Sequence, residues 1–252
     1  MISAVILTFN SAQFLKPCLE SLFKQDCADI EVIVVDNGST DGTADFVKRY
    51  YPRIRLIENK KNLGACKARN QAIEASCGEW ILTLDCDVVL ATDFIAAISD
   101  RLKNCSSAIG MVQPKILKAD KQKIYSAGIF LSFFKRFYDI GQGKLDYRFV
   151  NKPSRIFGAC AAAAVYRKKM LEEVRDAQGY FDERLFFLAE DVDLACRAQR
   201  KGWQALYCPQ ATCYHKGNSS FLSKGKRQYL CWRNRRLILQ KFPQGVLVKA
   251  LT

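Results

Sequence analysis

Two carboxylates one residue apart, Asp85 and Asp87, close the apolar run Trp80-Ile81-Leu82-Thr83-Leu84. The run is short, aromatic and β-branched, and Gly78 supplies a turn cue before it, so it is predicted to form a buried strand. In an α/β sheet, ligands gather beyond the carboxyl ends of such strands. A carboxylate pair at that place suits a hard divalent cation such as Mg²⁺, which takes oxygen ligands and shares them with substrate phosphates. The same Asp-x-Asp pattern also occurs in plain surface turns, so its neighbours must decide.

A second acidic group is Ala189-Glu190-Asp191-Val192-Asp193-Leu194. Leu188, Leu194 and Cys196 are apolar, and the stretch reads as the start of an amphipathic helix with three acids in its first turn, where the helix dipole favours them in any case. The residues before it, Phe181 to Phe187, are unusually aromatic. A carboxylate at their edge would be desolvated and its pKa raised toward the range of a general base. His215 is the single histidine; taken alone it fits a core, surface or ligand role. Cys208, Cys213 and His215 lack a fourth ligand at suitable spacing, which argues against zinc.

The elements that must position these groups follow from periodicity. Residues 4–8 are an expected strand. Leu15, Cys18, Leu19, Leu22 and Phe23 then repeat at helical steps, with Pro17 in the early turns. Residues 30–35 form a second strand ending at Asp36, followed by the turn cluster 37–42 and a helix to about Tyr51. A strand at 54–57, a polar loop at 59–64, and a helix at 65–77 capped by Gly78 lead to the strand ending at Asp85. This β-α-β-α-β-α-β order implies a parallel, right-handed, doubly wound half that binds a nucleotide across its strand ends. A helix over 92–104 follows, with Thr92 as N-cap. Beyond it, strands at 109–117, 124–131 and 156–166 lack full crossover helices, so a mixed sheet is expected, and 133–155 reads as a polar, basic, aromatic loop. A helix over 188–201 stopped by Gly202, a strand at 204–208 stopped by Pro209, an extended piece at 211–214 and a basic helical tail at 221–241 complete the chain. At the converging strand ends, Asp36 could bind a base or ribose or, with Gly38, merely make a turn. Gly64 could admit a ligand close to the backbone, and Arg69 could meet phosphate.

Length and charge bound the function. A chain of 252 residues buries a large core in one domain or one and a half. Eleven cysteines, odd in number and without a C-x-x-C pair, with no export signal or bilayer-length apolar run, read as reduced cytosolic thiols. The net charge of +14 is uneven: from Leu194 onward there are 12 Lys and Arg and no acid, leaving 27 basic against 25 acidic residues before it. A basic end points to phosphates, nucleic acid or an anionic membrane surface. No nucleic-acid motif accompanies it, which ranks a polyanion-binding role without catalysis, and nucleic acid as partner, below an enzyme.

Together, VILTFNS (5–11), VVDNGSTDGT (34–43), NKKNLGACKARNQAI (59–73), LTLDCDV (82–88), FGAC (157–160), YFDERLFFLAEDVDLACRAQRKGW (180–203), CYHKG (213–217) and WRNRR (232–236) resemble the inverting, metal-dependent family-2 glycosyltransferases of the GT-A fold. The likeness is greatest to bacterial rhamnosyltransferase-type members that build surface polysaccharides. It implies an α/β fold with a Rossmann-type nucleotide-binding half (1–104) continuous with a mixed-sheet acceptor half (105–217), and a basic C-terminal segment (218–252). It implies that Thr8, Asn10 and Asp36 line the nucleoside pocket, with Asn62, Gly64 and Arg69 beside it. Asp85 would contact ribose and metal, and Asp87 and His215 would ligate Mg²⁺ or Mn²⁺. Asp191 would be the catalytic base, with Glu190 as its alternative. Gly158, Ala159 and Cys160 would border the acceptor. The donor would be a nucleoside-diphosphate sugar and the acceptor a glycan or lipid-linked hydroxyl. Arg233, Arg235 and Arg236 would grip a diphosphate or rest on the membrane, placing the protein in the cytoplasm or on the inner membrane face.

The chain departs from the family in having Asp36-Asn37 where many members carry two acids, which suggests a different base preference. It also lacks the Q-x-x-R-W motif of processive members, since Cys231 stands in the arginine's place. A sugar nucleotidyltransferase of similar fold would carry a Gly-rich basic loop after the first strand; Thr8-Phe9-Asn10-Ser11 is not one. The implied reaction makes physical sense: a cation offsets charge on the leaving diphosphate, and a carboxylate on the opposite face takes the proton of the incoming hydroxyl.

Overall fold

The computed structural model describes residues 1–25, 30–132, 136–149, 152–217 and 222–242. In chain order the elements are β1 (Ile2–Thr8), α1 (Ala12–Phe23), β2 (Ile30–Asp36), α2 (Thr43–Tyr50), β3 (Arg55–Glu58), α3 (Ala65–Ala75), β4 (Trp80–Asp85), β5 (Val88–Leu90) and α4 (Phe94–Lys103). They continue with β6 (Ile109–Lys118), β7 (Ile124–Ser126), β8 (Ile129–Leu131), β9 (Phe137–Asp139), β10 (Ser154–Ile156), β11 (Ala163–Arg167), α5 (Lys168–Val174), α6 (Glu190–Arg200), β12 (Gln204–His215) and α7 (Lys224–Lys241). Short 3-10 turns occupy Asp146–Arg148 and Glu183–Leu185.

One sheet runs β10-β12-β6-β11-β4-β1-β2-β3, with β5 added to β12 and β7 to β6. Strands β3, β2, β1 and β4 are parallel, and β1 lies between β2 and β4. The chain therefore reverses its direction of winding at the β1/β4 boundary, where a crevice opens beyond the strand ends. Past β4 the sheet is mixed: β11 is antiparallel to both β4 and β6, while β6 and β12 are parallel.

Helices cover both faces, which is why these strands are near-continuous apolar runs. Side chains alternate across the sheet. Val5, Ile33, Val35 and Ile81 pack with α3, α5 and α6 on one side. Ala4, Ile6, Val32, Val34 and Leu82 pack with α1, α2 and α4 on the other. Leu15, Cys18, Leu19 and Leu22 supply the buried stripe of α1. Phe23, expected on that stripe, is instead exposed and stacks on Tyr51 at 5.5 Å between ring centres.

The parallel half follows the sequence reading closely, and the departures have local causes. Helix α3 stops at Ala75, because the Ser76 hydroxyl and N–H both bond the Ile73 carbonyl (2.6 and 3.2 Å) and turn the chain extended. Gly78 is therefore not its cap. Helix α4 begins at Phe94 after Asp93, and no side chain caps it, so Thr92 does not serve as N-cap. The expected strand at 124–131 breaks in two at Gly128, whose φ of +115° no other residue adopts easily. The expected strand at 156–166 also divides, leaving the small-residue loop 157–162 between β10 and β11. Conversely, 204–208 and 211–214 are one strand: a register shift between Cys208 and Thr212 absorbs Pro209. Segment 133–155 is more than a loop, since β9 pairs antiparallel with β8; residues 133–135 and 150–151 lie outside the described residues, as do 218–221 and 243–252 of the C-terminal segment. The described cysteines are all free thiols, and no described helix is long and apolar enough to cross a membrane.

Leu19 is wholly buried in the α1–sheet layer and far in sequence from either acidic cluster. Leu19→Ala should cost about 2–5 kcal/mol of stability through lost burial and the cavity left behind. Urea denaturation measures that loss, and turnover per folded molecule should stay unchanged.

Candidate functional site

Asp85 ends β4 and faces Leu7 of β1 across the crevice-forming boundary. Its carboxylate is held by Arg69 of α3, at 2.7 Å from Oδ1. The other guanidinium nitrogen of Arg69 pairs with Glu190 at the start of α6. Arg69 is 4% exposed and Glu190 6%, whereas Asp85 keeps 29% of its side-chain surface open to the crevice. Burial disfavours the Arg69 charge, but the two carboxylates reverse that and raise its pKa, so it is a permanent cation. This placement revises the expectation that Arg69 meets phosphate: its donors face carboxylates.

A two-residue turn carries the chain from Asp85 to β5, and β5 pairs with the end of β12, setting His215 opposite Val88. That register brings the single histidine to the carboxylate pair. His215 Nε2 lies 3.0 Å from Asp87 Oδ1 and 3.9 Å from Asp85 Oδ2. The second Asp87 oxygen accepts the Gly217 N–H at 3.1 Å. One ligand atom from each of Asp85, Asp87 and His215 falls within 4.8 Å of the others. His215 Nδ1 is buried without a hydrogen-bond partner. Two carboxylates and an imidazole around one point fit a divalent cation. Burial opposes charge on His215, yet the hydrogen bond and charge of Asp87 prevail and raise its pKa. The two carboxylates that favour a proton on His215 are the charges a bound cation would neutralise in its place.

The three acids at the start of α6 separate by role. Asp193 is 1% exposed and paired to Arg197 at 2.8 Å and Lys241 at 3.1 Å. Glu190 is committed to Arg69. Asp191 accepts the Ala161 N–H (3.2 Å) and the Val192 N–H (2.8 Å), and it lines a cavity of about 600 Å³. Although it keeps some contact with that cavity, the protein around it withdraws most water. Burial first, then the charges of Glu190 and Asp139, push its pKa up to about 7.

Two cavities meet here. The one of about 600 Å³ is framed by Tyr125, Asp139, Cys160, Ala161, Asp191 and Arg235; the second, of about 440 Å³, by Phe9, Asn37, Asn62, Gly64, Asp87 and Phe186. Arg69 and Asp85 border both. Asn62, Gly64, Arg69, Asp85 and Asp87 therefore line the second cavity together, while Glu190, Asp191, His215 and Arg235 line the first.

Other expected residues stand behind the walls. Thr8 is buried, and its neighbours Leu7 and Phe9 line the cavity, as strand alternation requires. The Asn10 N–H donates to the Ser39 hydroxyl, and the Asn10 side-chain oxygen accepts the Thr40 N–H. Asp36 accepts the Ser39 N–H (3.3 Å) and hydroxyl, the turn-making reading of that residue, and burial raises its pKa. Asn37 takes its place as the polar wall: it donates to Asn62 and Gly64 and accepts from Asn59 and Leu63. Gly158 packs on Ala195 and Ala159 is 1% exposed, so of the three residues expected there only Cys160 lines the larger cavity, followed by Ala161 and Ala162. Arg233 bonds the carbonyls of Arg184 and Leu185 and does not line either cavity. Tyr125 and Asp139 were not singled out from sequence, and Phe186 only as part of the aromatic stretch 181–187.

Residues 3–175 match Glycosyl transferase family 2. The match spans more than half of the chain, which belongs to that family and is a glycosyltransferase. An N-acetylglucosaminyl-diphospho-decaprenol L-rhamnosyltransferase of Mycobacterium tuberculosis is 29% identical over 247 residues, covering 87% of this chain and 78% of that protein. Among solved structures, a mannosyltransferase of Pyrobaculum calidifontis in complex with GDP-Man and Mn²⁺ superposes with a TM-score of 0.63 at 22% identity, over 96% of this chain and 63% of the other. S. aureus TarS in complex with UDP-GlcNAc gives a TM-score of 0.60 at 18% identity, over 94% of this chain and 66% of the other. At these identities the structures establish the GT-A fold, and this chain spans somewhat under two-thirds of each.

The raised pKa of Asp191 has a consequence for stability. A carboxyl that binds its proton more tightly when folded stabilises the fold below its unfolded pKa of 3.8, and that contribution is lost as pH rises to about 7. Asp191→Asn removes the linkage. Its stability relative to wild type, from urea melts with chelator present, should therefore rise between pH 4 and 7 and level off above pH 8. A pH-independent difference would place Asp191 in a solvated setting.

Proposed function

We propose that the chain moves a sugar from a nucleoside-diphosphate donor to a hydroxyl of a lipid-linked or free glycan by a single inverting displacement, with residues 1–217 as the transferase unit. The supporting observation is the Arg69 bridge. It sets Asp85, on the wall shared with the 440 Å³ cavity, a fixed distance from Glu190 and thus from Asp191 on the opposite side. The donor's nucleotide fills the smaller cavity against Phe9, Asn37 and Asn62. The acceptor enters the larger one.

Asp191 accepts the proton of the acceptor hydroxyl as its oxygen bonds to the anomeric carbon and the bond from that carbon to the phosphate oxygen breaks. Glu190 cannot share the task while paired to Arg69. Asp85, Asp87 and His215 would hold a divalent cation, Mg²⁺ or Mn²⁺, with the imidazole favouring Mn²⁺. When bound, that cation offsets the charge gained by the leaving diphosphate.

Arg136, Arg227 and Arg235 line the acceptor cavity. Three guanidinium groups there suit an acceptor that carries a diphosphate, the chemistry named in the mycobacterial relative. On α7, Tyr229 and Trp232 are 57% and 61% exposed, with Lys224 and Arg236 exposed on the same helix, a face suited to an anionic membrane carrying such an acceptor. A role in surface polysaccharide synthesis at the membrane follows from that acceptor.

Thermal shift against UDP-, dTDP- and GDP-sugars with and without Mn²⁺ identifies the donor. Asp191→Asn should keep donor binding and lower transfer by about 10²–10⁴-fold; wild-type turnover would remove Asp191 from the base role. In wild type, kcat/KM should fall tenfold per pH unit below about pH 7. Asp87→Ala should abolish the Mn²⁺-dependent part of the thermal shift, and an unchanged Mn²⁺ titration would move the cation elsewhere.

A further inference from the structure

Asp191 follows a segment, Leu185 to Ala189, whose backbone is unusual. Phe186, Leu188 and Ala189 have φ of +63°, +72° and +64°. None is glycine, and such conformations persist only where the surroundings impose them. On one side the imposing contact comes from α3: the Ala65 and Cys66 N–H groups donate to the Phe186 carbonyl at 2.7 and 3.3 Å.

On the other side it comes from α7. Asn234 is completely buried. Its amide nitrogen lies 3.0 Å from the Leu185 carbonyl oxygen, 2.8 Å from that of Phe187 and 2.6 Å from that of Leu188. Two N–H groups are thus shared by three carbonyls of the segment. The Asn234 oxygen is oriented in turn by the Arg233 guanidinium at 2.7 and 2.9 Å. Seven residues on, two turns along the same helix face, Lys241 Nζ lies 2.9 Å from Asp176, 3.2 Å from Asp182 and 3.1 Å from Asp193. Asp182 precedes the segment and Asp193 lies two residues beyond Asp191, so α7 grips both ends.

We propose that Asn234, assisted by Lys241, is a positioning residue: it holds segment 185–189 in its left-handed conformation and so places Asp191 in the acceptor cavity. Without the amide donors, the carbonyls of Phe187 and Leu188 would lose the donors that hold them, and the segment would relax toward ordinary backbone angles. The first turn of α6 would move with it. A displacement of about 1 Å in a reacting group lowers rate by roughly 10²-fold. The proposal rests on Asp191 acting as the base, but the segment's geometry can be tested without that assumption.

Asn234→Asp keeps the shape and the oxygen while removing one donor, and both once the new carboxyl ionises. In that variant, amide hydrogen exchange of residues 185–189 should rise at least tenfold, with exchange in β1 and β4 unchanged. The pH-dependent stability difference assigned above to Asp191 should shrink, as solvent reaches its carboxylate. Turnover with the donor identified by thermal shift should fall by roughly 10²-fold with donor binding intact. Leu19→Ala, which lowers stability elsewhere, should move none of these three. Should Asn234→Asp not fold, Lys241→Gln at the more exposed end of the helix should show the same pattern at smaller amplitude. Wild-type exchange in 185–189 with wild-type turnover per folded molecule would overturn the proposal. If Asp191→Asn retains turnover while Asn234→Asp still loosens the segment, the base assignment fails and the positioning of the segment stands.

Discussion

One guanidinium holds two distant parts of the chain together. Arg69 lies between Asp85 and Glu190, residues more than a hundred positions apart, and is almost wholly buried. A buried ion pair adds little net stability over an apolar substitute, but breaking one costs about 3–5 kcal/mol because a charge is left uncompensated. Here two carboxylates would be stranded. The end of β4 and the start of α6 are therefore set at a distance that neither the sheet nor the helices could fix alone. Phe181, whose ring lies 5.7 Å from the guanidinium carbon, closes off the remaining face of the charge.

The rest of the site is built by register. Strand β1 sits between β2 and β4, so the chain's switch in winding puts Leu7 beside Asp85 and opens the crevice there. Three residues of β5 pair with the last three of β12, whose other edge is held by β6, and this carries His215 across 128 positions of sequence to Asp87. Because side chains alternate along a strand, a one-residue slip in that pairing would turn His215 to the opposite face of the sheet.

Much of this was legible before any coordinates. The parallel half could be read because each strand is an apolar run and each helix an amphipathic stripe, signals that depend only on local burial. The carboxylate pair ending β4 and the acids at the start of α6 were readable for the same reason. What failed was of two kinds. Helix ends moved where side chains compete for backbone groups, as Ser76 does with Ile73. Wall residues were displaced by one, Leu7 and Phe9 for Thr8 and Asn10, or Asn37 for Asp36, because motif likeness marks a turn without saying which side chain faces inward. The role of α7 was invisible to pattern. A buried asparagine in a basic helix looks like any other polar residue until its three carbonyl partners are seen.

Arg69 and Asp85 border both cavities, so only a thin partition separates them. A carboxylate base there would take a proton from water as readily as from a sugar hydroxyl. On the function proposed above, selectivity against hydrolysis then comes from stoppering: the guest in the larger chamber displaces solvent from the partition while the activated sugar is held. An enzyme built this way protects its donor by occupancy, and its leak rate is a measure of how well the true guest fits.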